Sequence, residues 1–262
     1  MIALWQHRGF IWDSAIADLR HRYAGSALGI FWNVLTPLAM MVVYTLIFTS
    51  VFSSRASVGG TPGTVPFALY LSAGFLPWGA FAEGVTRGAQ ALLTNAMYLK
   101  KLPVPEHVFS AQAATAATFG MLIAGALVMC LALVLGQPPR WTWLLLPIVA
   151  VVWQFFGFGL GMFLGTLNTF FRDVGQILSV LLQIWMWSLP VVYPEDALPA
   201  AYRATLVFNP AYPFLYAFRA ILLDGAPPPA WMWVLMLGWG VLAALTGYAL
   251  LRRFRGEIRD VL

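Results

Sequence analysis

The residues in this chain best equipped for chemistry are its cations, and the most pointed group of them is TNAMYLKKLPVPEH, residues 94–107. Lys100 and Lys101 follow Met97 and Tyr98, and Leu102-Pro103-Val104-Pro105 comes directly after. Ammonium groups bind phosphate or carboxylate oxygens. NAMYLKK suits a short helical turn, and the prolines then force an extended exit. Such a rigid basic element has two uses. Met97, Tyr98 and Leu102 can enter a groove on a partner while the lysines meet its anions. Alternatively, the lysines rest on anionic headgroups as a topology anchor. Both uses need the same basic residues.

Other chemistries find less support. No G-x-x-x-x-G-K-[ST] loop occurs, so the chain has no phosphate cradle for ATP. GFGLGMFLG, residues 157–165, is glycine-rich but lies inside an apolar run, and Gly157, Gly161 and Gly165 recur every four residues. That spacing makes a smooth ridge for close helix packing. His7, His21 and His107 lie far apart without metal-type partners at i+3 or i+4, so no metal site is expected. Glycosyl chemistry needs two facing carboxylates, and the ten acidic residues mostly sit in loops and chain ends, with Glu195 and Asp196 side by side. An intramembrane glycosyl- or phosphotransferase is therefore the rival function of a different class. Ion-coupled transport favours unpaired acidic groups at mid-membrane, whereas Glu83 has Arg87 four residues on. The single Cys130 falls in an apolar run and reads as a small hydrophobe, with no disulfide framework.

The elements that position these residues are set by the medium. The 262 residues are 61% hydrophobic and 10% charged, with mean hydropathy +0.78, whereas a soluble domain is about 25% charged. So few polar groups cannot cover a soluble surface, and the chain is an all-α integral membrane protein. A helix crosses the hydrocarbon in about 20 residues. Charge-free runs 23–54, 108–139, 141–171, 174–194 and 225–251 each allow one crossing, and 67–93 allows another if Glu83 and Arg87 neutralise each other. Continuously apolar runs exclude the alternation of barrel strands. Six spans put both termini on one side. Eleven basic residues fall on that side (Arg8, Arg20, Arg22, Arg87, Lys100, Lys101, Arg172, Arg252, Arg253, Arg255, Arg259) against four opposite (Arg55, Arg140, Arg203, Arg219), which places both termini in the cytoplasm. The net charge of +5 is thus a topology and headgroup signal, with no nucleic-acid partner implied.

Residues 1–26 open the chain, and the first 22 do not read as a cleavable leader, because Asp13 and Asp18 interrupt the apolar pattern. They read as an interfacial amphipathic helix with Leu4, Trp5, Trp12, Ile16, Leu19 and Tyr23 on one face and His7, Ser14, Asp18 and His21 on the other. Residues 195–228 form the longest outer loop. Its charge-free middle, ATLVFNPAYPFLYAF, is 15 residues long and cannot span. Asn209-Pro210 and Tyr212-Pro213 break it into two short amphipathic pieces, which suit re-entrant helices capping a pathway or a loop lying on headgroups. Trp141, Trp143, Trp231 and Trp233 open two spans as an interfacial belt. Trp32, Tyr44, Trp78, Trp185, Trp187 and Tyr193 are candidate channel aromatics. Their apolar, electron-rich faces suit the C–H faces of sugars, and packing within the bundle is the competing role for each.

With those residues in view, the chain resembles the membrane subunit of type 2 ATP-binding-cassette exporters, the Wzm-like permeases for O-antigen and related polysaccharides. The likeness rests on RYAGSALGIFWNVLTPL (22–38), LSAGFLPWGAF (71–81), TNAMYLKKLPVP (94–105), GTLNTFFRDV (165–174) and NPAYPFLYAFR (209–219), in that order. It implies a single permease domain over 1–262, a homodimer of six-helix subunits in the bacterial inner membrane, and two copies of a separate ATPase that carries the ATP and Mg. This chain itself would bind no cofactor and catalyse no reaction. The coupling loop then maps to 94–105, with Asn95, Tyr98, Lys100, Lys101 and Pro103 facing the ATPase, together with the Phe171-Arg172-Asp173 turn. Asn209, Pro210, Tyr212 and Pro213 map to outer gate helices, and 252–262 to a cytoplasmic tail. The implied cargo is an undecaprenyl-pyrophosphate-linked glycan, whose pyrophosphate needs cations at the inner headgroup level. Arg20 and Arg22 are candidates, and Arg87 is one if it is free of Glu83. Capsule, teichoic acid and a small lipid or drug are alternative cargoes for the same architecture.

Overall fold

The computed structural model describes residues 2–21, 31–52, 67–101 and 104–262. Its described residues are almost wholly helical. In order they form α1 (Ile2–Gln6), α2 (Arg8–His21), α3 (Trp32–Phe52), α4 (Phe67–Thr94), α5 (Ala96–Lys101), α6 (His107–Val134), α7 (Leu146–Phe170), α8 (Asp173–Trp187), α9 (Ala200–Thr205), α10 (Tyr212–Arg219), α11 (Ala230–Arg253) and α12 (Arg255–Val261). Among the described residues, three helices are long and apolar enough to cross a membrane: α6, α7 with the 3₁₀ turn before it, and α11. A fourth crossing arises if Ala200–Phe208 and Tyr212–Asp224, bent by 104°, count as one broken span.

α7 is the centre of the bundle and packs against α4, α6 and α11. Glycines explain how closely. A Cβ on Gly161 would stand 2.9 Å from Gly88 Cα of α4, and one on Gly165 would stand 2.8 Å from Gly88 O. On the opposite face of α7, a Cβ on Gly159 would stand 2.4 Å from the Ala243 carbonyl carbon of α11, and one on Gly247 would stand 2.5 Å from Gly159 O. Lipid gives apolar side chains no reason to leave it, so helices associate where backbones can touch. The glycine ridge expected at 157–165 does this against α4 through Gly161 and Gly165, and Gly159, outside that spacing, does it against α11.

Two elements differ from the sequence reading. α8 is only 15 residues long, about 22 Å at 1.5 Å per residue and short of the hydrocarbon thickness. It stops at Trp187, three residues before Pro190, which cannot continue a helix. The N-terminal segment breaks at His7 into two helices that lie along α6. Among its described side chains, Ile11 and Ala15 are buried. Of the apolar face, Trp5 and Trp12 are exposed while Leu4, Ile16 and Leu19 are half-buried, and Trp12 meets Phe119 edge-on at 4.9 Å. Asp18, assigned to the polar face, turns into the bundle to pair with Arg87. That ion pair ties α2 to α4.

Replacing Gly161 with Leu is expected to push α7 from α4 and lower stability in detergent by roughly 1–3 kcal/mol or prevent folding. Gly9→Ala, whose new methyl meets nothing within 4 Å, is expected to leave thermal unfolding unchanged or slightly raised. Comparing the two unfolding temperatures checks the point.

Candidate functional site

At one end of the bundle, α5 projects the residues that the sequence singled out. Six residues make a marginal helix alone, and Leu99, 1% exposed, is its one buried side chain. Leu99 enters a small core with Ala91, Leu92, Phe109, Met162, Leu251 and Ile258. Met97 and Tyr98 are 68% and 56% exposed, with Lys100 and Lys101 exposed beside them in the last turn, where cations suit the helix dipole. Asn95 does not join this face: its Nδ2 donates back to Ala91 O at 2.8 Å. Pro103 lies outside the described residues.

The Phe171-Arg172-Asp173 turn is exposed throughout, between α7 and α8. Its base is set by buried Asn168, whose Nδ2 donates to Ala89 O at 2.9 Å and whose Oδ1 accepts from Gly175 N at 3.0 Å. One amide thereby fastens α7 to α4 and to the first turn of α8. Phe170, just before the turn, packs on Phe254 at 5.4 Å, so the turn and α5 belong to the same end.

The three candidate headgroup arginines are not brought together. Arg22 is outside the described residues, and Arg20 is exposed at the end of α2. Arg87 fails the condition set for it: its Nε donates to Glu83 at 2.8 Å and its Nη1 pairs with Asp18. Its charge is matched by two carboxylates. The group separates two clefts, one of about 360 Å³ along Gln90, Asn95 and Gln112, the other of about 430 Å³ between α4 and α8.

Nor do the aromatic candidates form one lining. Trp78 is buried and meets Trp185 edge-on at 5.6 Å. Phe81, Trp153, Phe156 and Phe214 continue the cluster with centroids 5.5–5.7 Å apart. This is bundle packing, although Trp78 also borders the cleft between α4 and α8 with Phe75 and Met186. Trp187 is exposed, and its carbonyl accepts from Tyr193 Oη at 2.7 Å. Trp32 is exposed at the start of α3; Tyr44 lies within α3, and its side chain is outside the described set.

At the opposite end, the bend between the short helices falls at Asn209-Pro210-Ala211. Asn209 Oδ1 accepts from Trp185 Nε1 at 2.9 Å and from Ala211 N at 3.2 Å, linking the bend to α8. Tyr212 Oη donates to Glu195 at 3.0 and 3.2 Å. α10 is more buried than an amphipathic piece: Tyr212, Pro213, Phe214, Leu215, Ala217 and Phe218 are all covered. Glu195 and Asp196 do not face each other as a catalytic pair, because Asp196 pairs with Arg203 at 3.4 Å. Sequence reasoning missed Arg219, whose Nη2 donates to Val191 O at 2.9 Å while its guanidinium lies 3.9 Å from the Tyr70 ring. Gly74 leaves the room, since a Cβ there would stand 3.0 Å from that nitrogen. The final FR of the 209–219 motif was the available signal. Glu106 and Arg255, 149 residues apart, are also paired and had no local signal.

The arrangement has projecting contacts at one end, a tied bend at the other and a close-packed core between, and among the described residues no cluster fit for a metal ion. The sequence profile of the ABC-2 type transporter family matches residues 14–223. The chain belongs to the ABC-2 type transporter family. This ABC-2 chain is 30% identical over 230 residues to an O-antigen export system permease protein RfbA of Myxococcus xanthus, covering 87% of the chain and 85% of that relative. It is 24% identical over 259 residues to a protein of the same name from Klebsiella pneumoniae, covering 97% and 96%.

Asp18→Asn in this ABC-2 chain is expected to loosen α2. A half-exposed ion pair contributes about 1 kcal/mol, so tryptic cleavage near Arg20 should rise about fivefold in limited proteolysis of intact membranes.

Proposed function

We propose that this chain is the transmembrane subunit of an ATP-driven exporter that moves a lipid-linked, O-antigen-like polysaccharide across the bacterial inner membrane. The observation that carries the reading is likeness over nearly the whole length to relatives named O-antigen export system permease. The geometry is in keeping with it. α5 offers an apolar pair, Met97 and Tyr98, flanked by two lysines on a helix pinned through Leu99. That is the form of a contact that enters a groove on a soluble protein.

In this reading six spans, with the short α8 completing its crossing through the turns that follow it to Tyr193, leave both termini in the cytoplasm. Phe10 meets Phe109 at 6.0 Å, and Phe109 shares a core with Ile258, so both chain ends lie at the α5 end. Two copies of the chain form the conduit, and two copies of a separate ATPase, holding ATP and Mg, dock on α5 and on the 171–173 turn. Exposed apolar residues along α3 and α8, such as Leu35, Met40, Ile177, Leu181 and Ile184, are surface for lipid and for the second copy. ATP binding shifts α5, the halves separate, and the undecaprenyl-pyrophosphate-linked glycan passes. The bent pair 200–224 caps the outer end. Arg20 and Arg22 meet the pyrophosphate first, while Arg87 meets it only by giving up Asp18 or Glu83.

Changing Lys100 and Lys101 together to Glu is expected to abolish surface polysaccharide and to accumulate lipid-linked glycan inside the cell, as read by extraction of both pools. Unchanged export with the double substitution would remove α5 from the coupling path.

A further inference from the structure

Residues 252–262 read in sequence as a basic tail, yet the structure folds them back onto the bundle. The chain breaks at Phe254 and α12 returns, burying Ile258 in the core that holds Leu99 of α5, Leu92 of α4, Phe109 of α6 and Met162 of α7. Arg255 Nε donates to Glu106 Oε2 at 3.0 Å and to Oε1 at 3.2 Å. The Glu106 side chain is 2% exposed and that of Arg255 56%. A carboxylate this deep needs a counter-charge, and Arg255 supplies one. Glu106 sits immediately before α6, at the end of the linker that leaves α5. Phe254, one residue before Arg255, packs on Phe170 beside the 171–173 turn.

Three separated segments thus converge on the hinge between α11 and α12: the linker after α5, the turn after α7 and the C-terminal helix. α5 alone has one buried side chain and six residues, too little to carry a displacement into the bundle. Its motion reaches the spans through its junction with α4 at Asn95, through the core that holds Leu99 and through the segment that ends at Glu106. We propose that Arg255 is a positioning residue for energy coupling: paired with Glu106, it locks α5 to the C-terminal helix, so that displacement of α5 is passed to α11 and to the 171–173 turn. The inference rests on α5 being the ATPase contact. It assigns the tail the role of a brace between the coupling element and the last span.

The test uses the full exporter complex in native membranes, comparing wild type with Arg255→Ala, Arg255→Lys, Glu106→Gln and the double variant Glu106→Gln/Arg255→Ala. Arg255→Ala is expected to bring down the ATPase at the wild-type ratio and to hydrolyse ATP, while glycan exported per ATP falls about tenfold, within the usual range for coupling between sites. Arg255→Lys, which keeps the charge, should restore most of it. The double variant should be no worse than the worse single one, because both act on one contact. Wild-type coupling in Arg255→Ala overturns the proposal. Loss of the ATPase makes Arg255 a docking residue and also overturns it, as does failure of both Arg255→Ala and Glu106→Gln to accumulate in the membrane. A wild-type chain that brings down no ATPase instead overturns the exporter reading itself, so the two failures are told apart by the wild-type arm.

Discussion

The contact of Gly88 with Gly161, backbone against backbone, is the constraint on which the rest of the structure depends. In an apolar medium no burial of side chains from water draws helices together, so association relies on close approach and dispersion. α7 meets this requirement twice, with Gly161 and Gly165 against α4 and Gly159 against α11. Around that axis the bundle places its polar features at its two ends. Moving α7 by even one side-chain layer would separate Asn168 from Ala89 O and the aromatic cluster from Trp153. The functional segments therefore depend on a core with little tolerance for added volume.

The two ends are built differently, in a way that suits an exporter. At the α5 end, charged and apolar side chains project outward while single buried groups, Leu99, Asn168 and Glu106, hold their bases. At the Tyr70 end the polar groups turn inward: Arg219 lies on Tyr70 and bonds Val191 O, Tyr212 bonds Glu195, and Asn209 bonds Trp185. In the proposed reading the first end is the one a partner touches and moves. In the same reading the second is a gate closed by these internal contacts, each of which water or cargo hydroxyls would replace on opening.

Much of this was legible in the sequence because the medium leaves few options. Charge-free runs located α6, α7 and α11, and the four-residue glycine spacing announced the packing of α7 on α4. Residues 94–101 showed a basic helical turn before prolines, and α5 is that turn. What was hidden depended on partners remote in the chain. Arg87 carries one carboxylate four residues away, which the spacing shows, and another on α2, which it does not. Glu106 looks like a loop acid until α12 brings Arg255 to it. Trp78 and Trp185 read alike in sequence whether they line a conduit or fill a core, and their edge-on contact at 5.6 Å is equally invisible there because the two lie on different helices.

The central claim is that this chain works as a membrane subunit driven by a separate ATPase docked at the α5 end. Native mass spectrometry of the complex released intact from its own membranes tests it most directly. The account predicts an assembly of two copies of this chain with two copies of one soluble nucleotide-binding subunit. A chain that flies alone or as a bare dimer, from membranes actively exporting polysaccharide and across several mild detergents, would contradict it.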